Sequence, residues 1–190
     1  ALSSGLMWEL TQYCFRLLMR NINDYGLDLP LSINLEHSCL YETDLLRFLD
    51  QESTFWGIDH DRITLEITYT KELFNPGLIR ETIHALRAHG FKISIDDFAC
   101  SRAALETLRD LPADEVKIHS TLSGNSFTEP ENQLIMQRMM ELAHSLSITP
   151  VALSIEDSDT LRQMAQWGCQ LGQGFYLGAP MPIDKLTALG

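Results

Sequence analysis

Short apolar runs with strand-like patterning take turns with longer runs at helical spacing along the whole chain, and this alternation constrains the fold more than any other feature. Leu6 to Asn23 carries apolar residues at the helical period and ends near Gly26, a stop signal. Leu31 to Leu35 reads as a strand, Glu42 to Leu49 as a helix, and Arg62 to Thr68, alternating and rich in β-branched residues, as a second strand. Asn75-Pro76 opens a helix that runs to His89, with Gly90 as its cap. Strands follow at Phe91 to Ile95, Glu115 to Ile118, Pro150 to Ile155 and Cys169 to Gln173. Helices are expected at Ala103 to Arg109, at Asn132 to Leu146 and in the stretch that ends at Trp167, and a mobile loop at Ser123 to Glu131.

A β-α-β-α order of this kind predicts a parallel sheet covered by helices. About six strands are legible, whereas a closed parallel barrel needs about eight and about 250 residues. With 190 residues, the chain is expected to be one α/β domain over residues 1–190 in which either the sheet is open or one end of a barrel is missing, and an opening on a helix without Met favours a missing N-terminal piece.

Composition removes several function classes. A formal net charge of −12 disfavours DNA or RNA polymers, whose binding depends on many Lys and Arg neutralising phosphates. No apolar run approaches the roughly 18 to 20 residues of a membrane span. Cys14, Cys39, Cys100 and Cys169 are widely separated, which fits neither a zinc site nor a disulfide scaffold and points to a reducing, cytoplasmic setting. A membrane tether elsewhere in a longer protein stays open.

The C-terminal ends of parallel strands share one face of a barrel, so polar residues placed there are expected to converge. They are Asn34, Glu66, Asp96 with Asp97, Lys117 and Gln173: oxygen donors and one cation. Such oxygens suit Mg²⁺ or Mn²⁺, and two adjacent acids can serve two metals in phosphodiester hydrolysis. Plainer roles exist for each. Asn34 can be a turn residue, Glu66 a solvated acid, one of the two Asp a helix cap, and Lys117 a cation that reaches out to water.

The same residues lie in strings that resemble the EAL family of cyclic di-GMP phosphodiesterases. Ser32-Ile33-Asn34-Leu35 is similar to S-V-N-L-S, Leu65-Glu66-Ile67-Thr68 to L-E-[IL]-T-E, and Ile95-Asp96-Asp97-Phe98 to I-D-D-F-G. Leu111-Pro112 with Val116-Lys117-Ile118 resembles L-P-x-x-x-[LV]-K-I-D, Val151 to Asp157 resembles V-A-E-G-V-E-T, and Gln173-Gly174-Phe175 with Pro180 resembles Q-G-Y-x-x-x-x-P. The resemblance implies a modified TIM barrel in which Asn34, Glu66, Asp96 and Asp97 hold Mg²⁺ or Mn²⁺. Lys117 and Gln173 would sit beside the phosphodiester and the attacking water. The strand carrying the family's E-A-L tripeptide would lie upstream of residue 1, with other domains beyond it.

Departures from the pattern bear on catalysis. Leu153 stands where the family has a Glu, and a leucine can neither accept a proton nor hold a water; Glu156, the second Glu of that motif, is retained and is a weaker candidate. Ala99 to Ala104 replace the G-T-G-Y-S-S loop, which in the family links the metal site to the dimer surface, and Tyr69 replaces the second Glu of L-E-I-T-E. His119 replaces the Asp of K-I-D and is expected to hydrogen-bond rather than to take a metal. Two functions fit. Leu153 and the altered loop favour an inactive or strongly impaired signalling module that binds cyclic di-GMP or a protein partner, with a homodimer allowed. The retained set favours a metal-dependent phosphodiesterase that opens cyclic di-GMP to linear pGpG. A third, an unrelated α/β domain, would lack an acidic mouth.

Overall fold

The computed structural model describes residues 4–68, 76–98, 111–119 and 130–186, without the side chains of residues 4, 5, 76, 97 and 131. The helix expected at Ala103 to Arg109 lies outside the described residues, as do Tyr69, the Ala99 to Ala104 segment and all of the Ser123 to Glu131 loop but its last two residues.

The elements run α1 (Ser4–Tyr25), β1 (Leu31–Asn34), α2 (Leu45–Trp56), β2 (Ile63–Thr68), α3 (Pro76–Ala88), β3 (Lys92–Phe98) and β4 (Glu115–His119). They continue with α4 (Pro130–Ser145), β5 (Thr149–Leu153), α5 (Ser158–Gln166), β6 (Leu171–Gly172) and α6 (Ile183–Leu186). Short 3-10 turns at His37–Tyr41 and His60–Arg62 precede α2 and β2. The strands form one six-stranded parallel sheet in chain order. Parallel strands alternating with helices are the architecture of a TIM barrel, here incomplete because about eight strands are needed to close one. Among the described residues no helix is long and apolar enough to cross a membrane.

Gly26 and Gly90 adopt φ 60 and φ 97 beyond the ends of α1 and α3, left-handed backbone that glycine enters without a Cβ penalty. The second helix departs from expectation. It begins three residues later than Glu42, because His37–Tyr41 is a 3-10 turn, and continues to Trp56. The polar stretch after Leu49 extends this helix, and the chain leaves it only at Gly57, with φ 66.

Two compact units divide the chain: residues 1–93 with 181–190, and residues 94–180. In the first, Phe15 and Met19 of α1, Leu45 and Leu49 of α2, and Ile79, Ile83 and Leu86 of α3 are almost wholly buried. Their spacing of three or four residues is that of one helical face. Ile63 through Ile67 are buried without the alternation expected from sequence, because a parallel strand is covered on both faces. In the second, Val116 and Ile118 of β4, Met136, Met140 and Ala143 of α4, Ala152 of β5 and Met164 of α5 form the core. Each large apolar side chain so buried contributes about 1.5–3 kcal/mol, and these cores fix the strand ends.

Candidate ligand and metal site at the strand ends

In the first unit the last pair of the β1–β2 register is Asn34 with Glu66. Partners across a parallel pair present their side chains to the same face. Asn34 is exposed and Glu66 is buried, and the Leu35 N–H donates to the Glu66 carbonyl oxygen at 2.8 Å. The plain expectation of a solvated carboxylate at Glu66 therefore fails. A buried carboxylate is retained when it is paired, hydrogen-bonded or bound to a metal.

In the second unit the β3–β4 register shifts between Ile95 and Phe98. Ile95 pairs with Val116 but Phe98 with Ile118, so β3 carries one more residue than β4 over that interval. The extra residue falls at Asp96-Asp97, opposite Lys117. Such a bulge breaks the strict alternation of a strand and re-aims side chains at its position. Asp96 is half-buried and Lys117 is buried.

β4 and β5 then pair in register from Glu115 with Thr149 to His119 with Leu153. Lys117 and His119 are two residues apart on one strand and so lie on one face, which Leu153 shares as the register partner of His119. His119 is exposed and Leu153 half-buried. The imidazole Nδ1 of His119 lies 3.1 Å from Ser154 Oγ. Ser154 holds φ 58, a left-handed conformation that costs a non-glycine residue about 1–2 kcal/mol.

The chain after β6 is tied back onto β5. The Gln173 N–H donates to the Ala152 carbonyl at 2.8 Å, and the Ile155 N–H donates to the Gln173 carbonyl at 3.1 Å, leaving the Gln173 side chain exposed. Gly174 makes this possible, since a Cβ there would overlap the backbone nitrogen and carbonyl of Ile155. Glu156 is exposed on the loop leading to α5. The next residue, Asp157, caps α5 by accepting from the Thr160 N–H at 2.7 Å, and that bond holds its carboxyl below the ordinary carboxylate value. Burial pushes the Cys169 thiol up, so it stays protonated at neutral pH.

The structure thus joins Asn34 to Glu66 and, separately, Asp96 and Asp97 to Lys117, with Gln173 fastened to β5. Ser154 and the packing role of Gly174 were not anticipated from sequence. The available signal for Ser154 was that it falls on the glycine of V-A-E-G-V-E-T, where a left-handed backbone is called for. Asn34, Glu66, Asp96 and Asp97 offer only oxygen atoms, and that donor chemistry fits a hard divalent cation. Among the described residues no three His, Cys, Asp or Glu side chains group closely enough to hold a metal ion; the Asp97 side chain lies outside that description.

Comparison with known proteins agrees with this architecture. The EAL domain of Mycobacterium smegmatis DcpA superposes with a TM-score of 0.88 at 24% identity, covering 100% of this chain and 86% of that one. Klebsiella pneumoniae BlrP1, solved as a manganese and cyclic di-GMP complex, matches with a TM-score of 0.78 at 25% identity, over 90% of this chain and 43% of that one. A cyclic di-GMP phosphodiesterase of Pseudomonas aeruginosa is 27% identical over 96% of this chain, which spans 32% of that protein. The chain spans only 22% of several other curated relatives. Residues 1–180 match the EAL domain, and the chain belongs to that family.

Proposed function

We propose that this chain is a cyclic di-GMP signalling domain that binds the nucleotide or a protein partner and hydrolyses cyclic di-GMP negligibly. The observation that carries this is Leu153. It ends β5 on the face that also bears Lys117 and His119, where hydrolysis would need a group able to orient and deprotonate water. An isobutyl side chain does neither.

Binding and turnover need not be lost together. Mg²⁺ or Mn²⁺, if bound, would be held by Asn34, Glu66, Asp96 and Asp97, and would supply charge neutralisation of phosphate and acidification of water. Lys117 would supply a cation to a phosphodiester oxygen, and the Gln173 amide would orient a ligand or water by donating or accepting. Those functions use no base, so affinity survives where turnover does not.

A second function, a metal-dependent phosphodiesterase that opens cyclic di-GMP to linear pGpG, is supported by the retained set Asn34, Glu66, Asp96, Asp97, Lys117 and Gln173, with Lys117 buried opposite the bulge at Asp96-Asp97. The two are separated by incubating the intact protein with cyclic di-GMP and Mg²⁺ or Mn²⁺ and measuring bound nucleotide and linear product side by side. Binding without product supports the first; product formation at an enzymatic rate supports the second.

A further inference from the structure

We infer that the second unit carries a separate site for an uncharged monosaccharide or cyclic polyol, in the cavity that His144, Ser147, Thr149 and Gln170 surround where β5 begins. It lies at the opposite end of β5 from Leu153 and is independent of nucleotide binding.

Two turns of the same kind, set side by side, make the cavity. α4 ends at Ser145, and the Ile148 N–H donates to the Ala143 carbonyl at 2.9 Å around Ser147, which is left-handed at φ 59. α5 ends at Gln166, and the Cys169 N–H donates to the Met164 carbonyl at 3.0 Å around Gly168, at φ 85. A left-handed residue closed by such a bond is a common end for a helix. The pairing of Val151 with Leu171 makes β5 and β6 neighbours, which brings the two turns together. Gly168 is needed here, since a Cβ on it would stand 3.2 Å from His144 Nε2. Between the turns lies a cavity of about 280 Å³, lined by the buried, apolar Ile148 and Pro150 and by the four polar residues, which are exposed.

The lining selects the ligand. Among the described residues, none of the four polar side chains is taken up by another protein group. Two hydroxyls and a carboxamide each donate and accept, and an imidazole does so through its two nitrogens. Their complement is a molecule whose own groups do both, as neighbouring hydroxyls on a small ring do, with C–H faces to set against Pro150 and Ile148. Neither Lys nor Arg nor any carboxylate lines the cavity. Asp114 and Glu115 neighbour Thr149 across the sheet but are engaged elsewhere. A charged ligand would therefore lose hydration without gaining an opposite charge. Ligand pockets start at roughly 300 Å³, so this one has room for a single sugar ring and not for a dinucleotide.

Amide NMR of the intact protein titrated with D-glucose and with myo-inositol tests this. The Ser147, Thr149, Gly168 and Gln170 amides should shift saturably with at least one of the two. Thr149→Val keeps the shape of an exposed residue and removes its hydroxyl, and His144→Ala removes the imidazole. Each should weaken binding about threefold to tenfold, the net worth of a hydrogen bond, with thermal unfolding near wild type. Glucose 6-phosphate and glucosamine should bind no more tightly than glucose. No saturable shift with either probe would overturn the site, as would unchanged affinity in both variants. Tighter binding of either charged sugar would overturn the assignment to an uncharged ligand.

Discussion

Leu153 is the register partner of His119 at the C-terminal ends of β5 and β4, so an aliphatic side chain and an imidazole share one face of the sheet, the face on which the proposed function finds no base. Restoring a carboxylate there is the most direct repair. Leu153→Glu should raise cyclic di-GMP turnover, up to the about 10²–10⁴-fold that a positioned general base is worth. The gain will be partial, since a carboxylate at half-buried Leu153 loses part of its hydration. Product analysis by chromatography would show it. No gain at all would locate a further defect in the segment from Ala99 to Ala104.

Asp96 lies in the β3 bulge opposite Lys117. Asp96→Ala should abolish or sharply reduce Mg²⁺ and Mn²⁺ binding measured calorimetrically, while leaving the fold intact, because the bulge is a property of the backbone register. Equal metal affinity of wild type and variant would place any metal elsewhere.

Gly174 packs against the backbone of Ile155, where no Cβ fits. Gly174→Ala should destabilise the protein by about 1–3 kcal/mol, the usual cost of overpacking, and more if the Gln173 bonds to β5 open. Thermal unfolding would read this as a fall of about 2–4 °C per kcal/mol. An unchanged midpoint would mean that the segment after β6 is free to shift.

Much of the fold was legible from the residues because parallel strands and their helices announce themselves locally. The β-branched residues from Ile63 to Thr68, and Gly90 after α3, carry their signal within a few positions, although the alternation expected of that strand gives way to continuous burial from Ile63 to Ile67. The end of α2 was missed because Asp50 to Thr54 lack apolar periodicity, and only the cap at Gly57 marks the true stop. The site was legible as a set of residue types and not as an arrangement. Adjacent acids at Asp96 and Asp97 say nothing of a bulge, which exists only relative to β4. The bond between His119 and Ser154 spans 35 residues of sequence and needs the β4–β5 register to form. Cys169 to Gln173 likewise read as a five-residue strand, yet only Leu171–Gly172 are strand, since after the Gln173 N–H bonds to Ala152 of β5 its carbonyl accepts from Ile155 in the loop beyond that strand.

Asp157 gives a pH signature of the same region. Its carboxyl is held below the ordinary value by the Thr160 N–H, so its capping contribution is present above the unfolded carboxylate value and is lost as pH falls through the folded one. Asp157→Asn, a neutral cap, should therefore lose less stability than wild type on acidification across that window. Parallel acid-unfolding curves for the two would show that the α5 cap is not linked to proton binding.

The account turns on whether nucleotide is held without being cut. The intact wild-type protein should bind cyclic di-GMP in saturating Mg²⁺ or Mn²⁺ and release almost no linear pGpG over hours, as followed by chromatography of the same samples. Brisk metal-dependent conversion would contradict it, and would mean that Glu156 or His119 has taken the base role that Leu153 cannot fill.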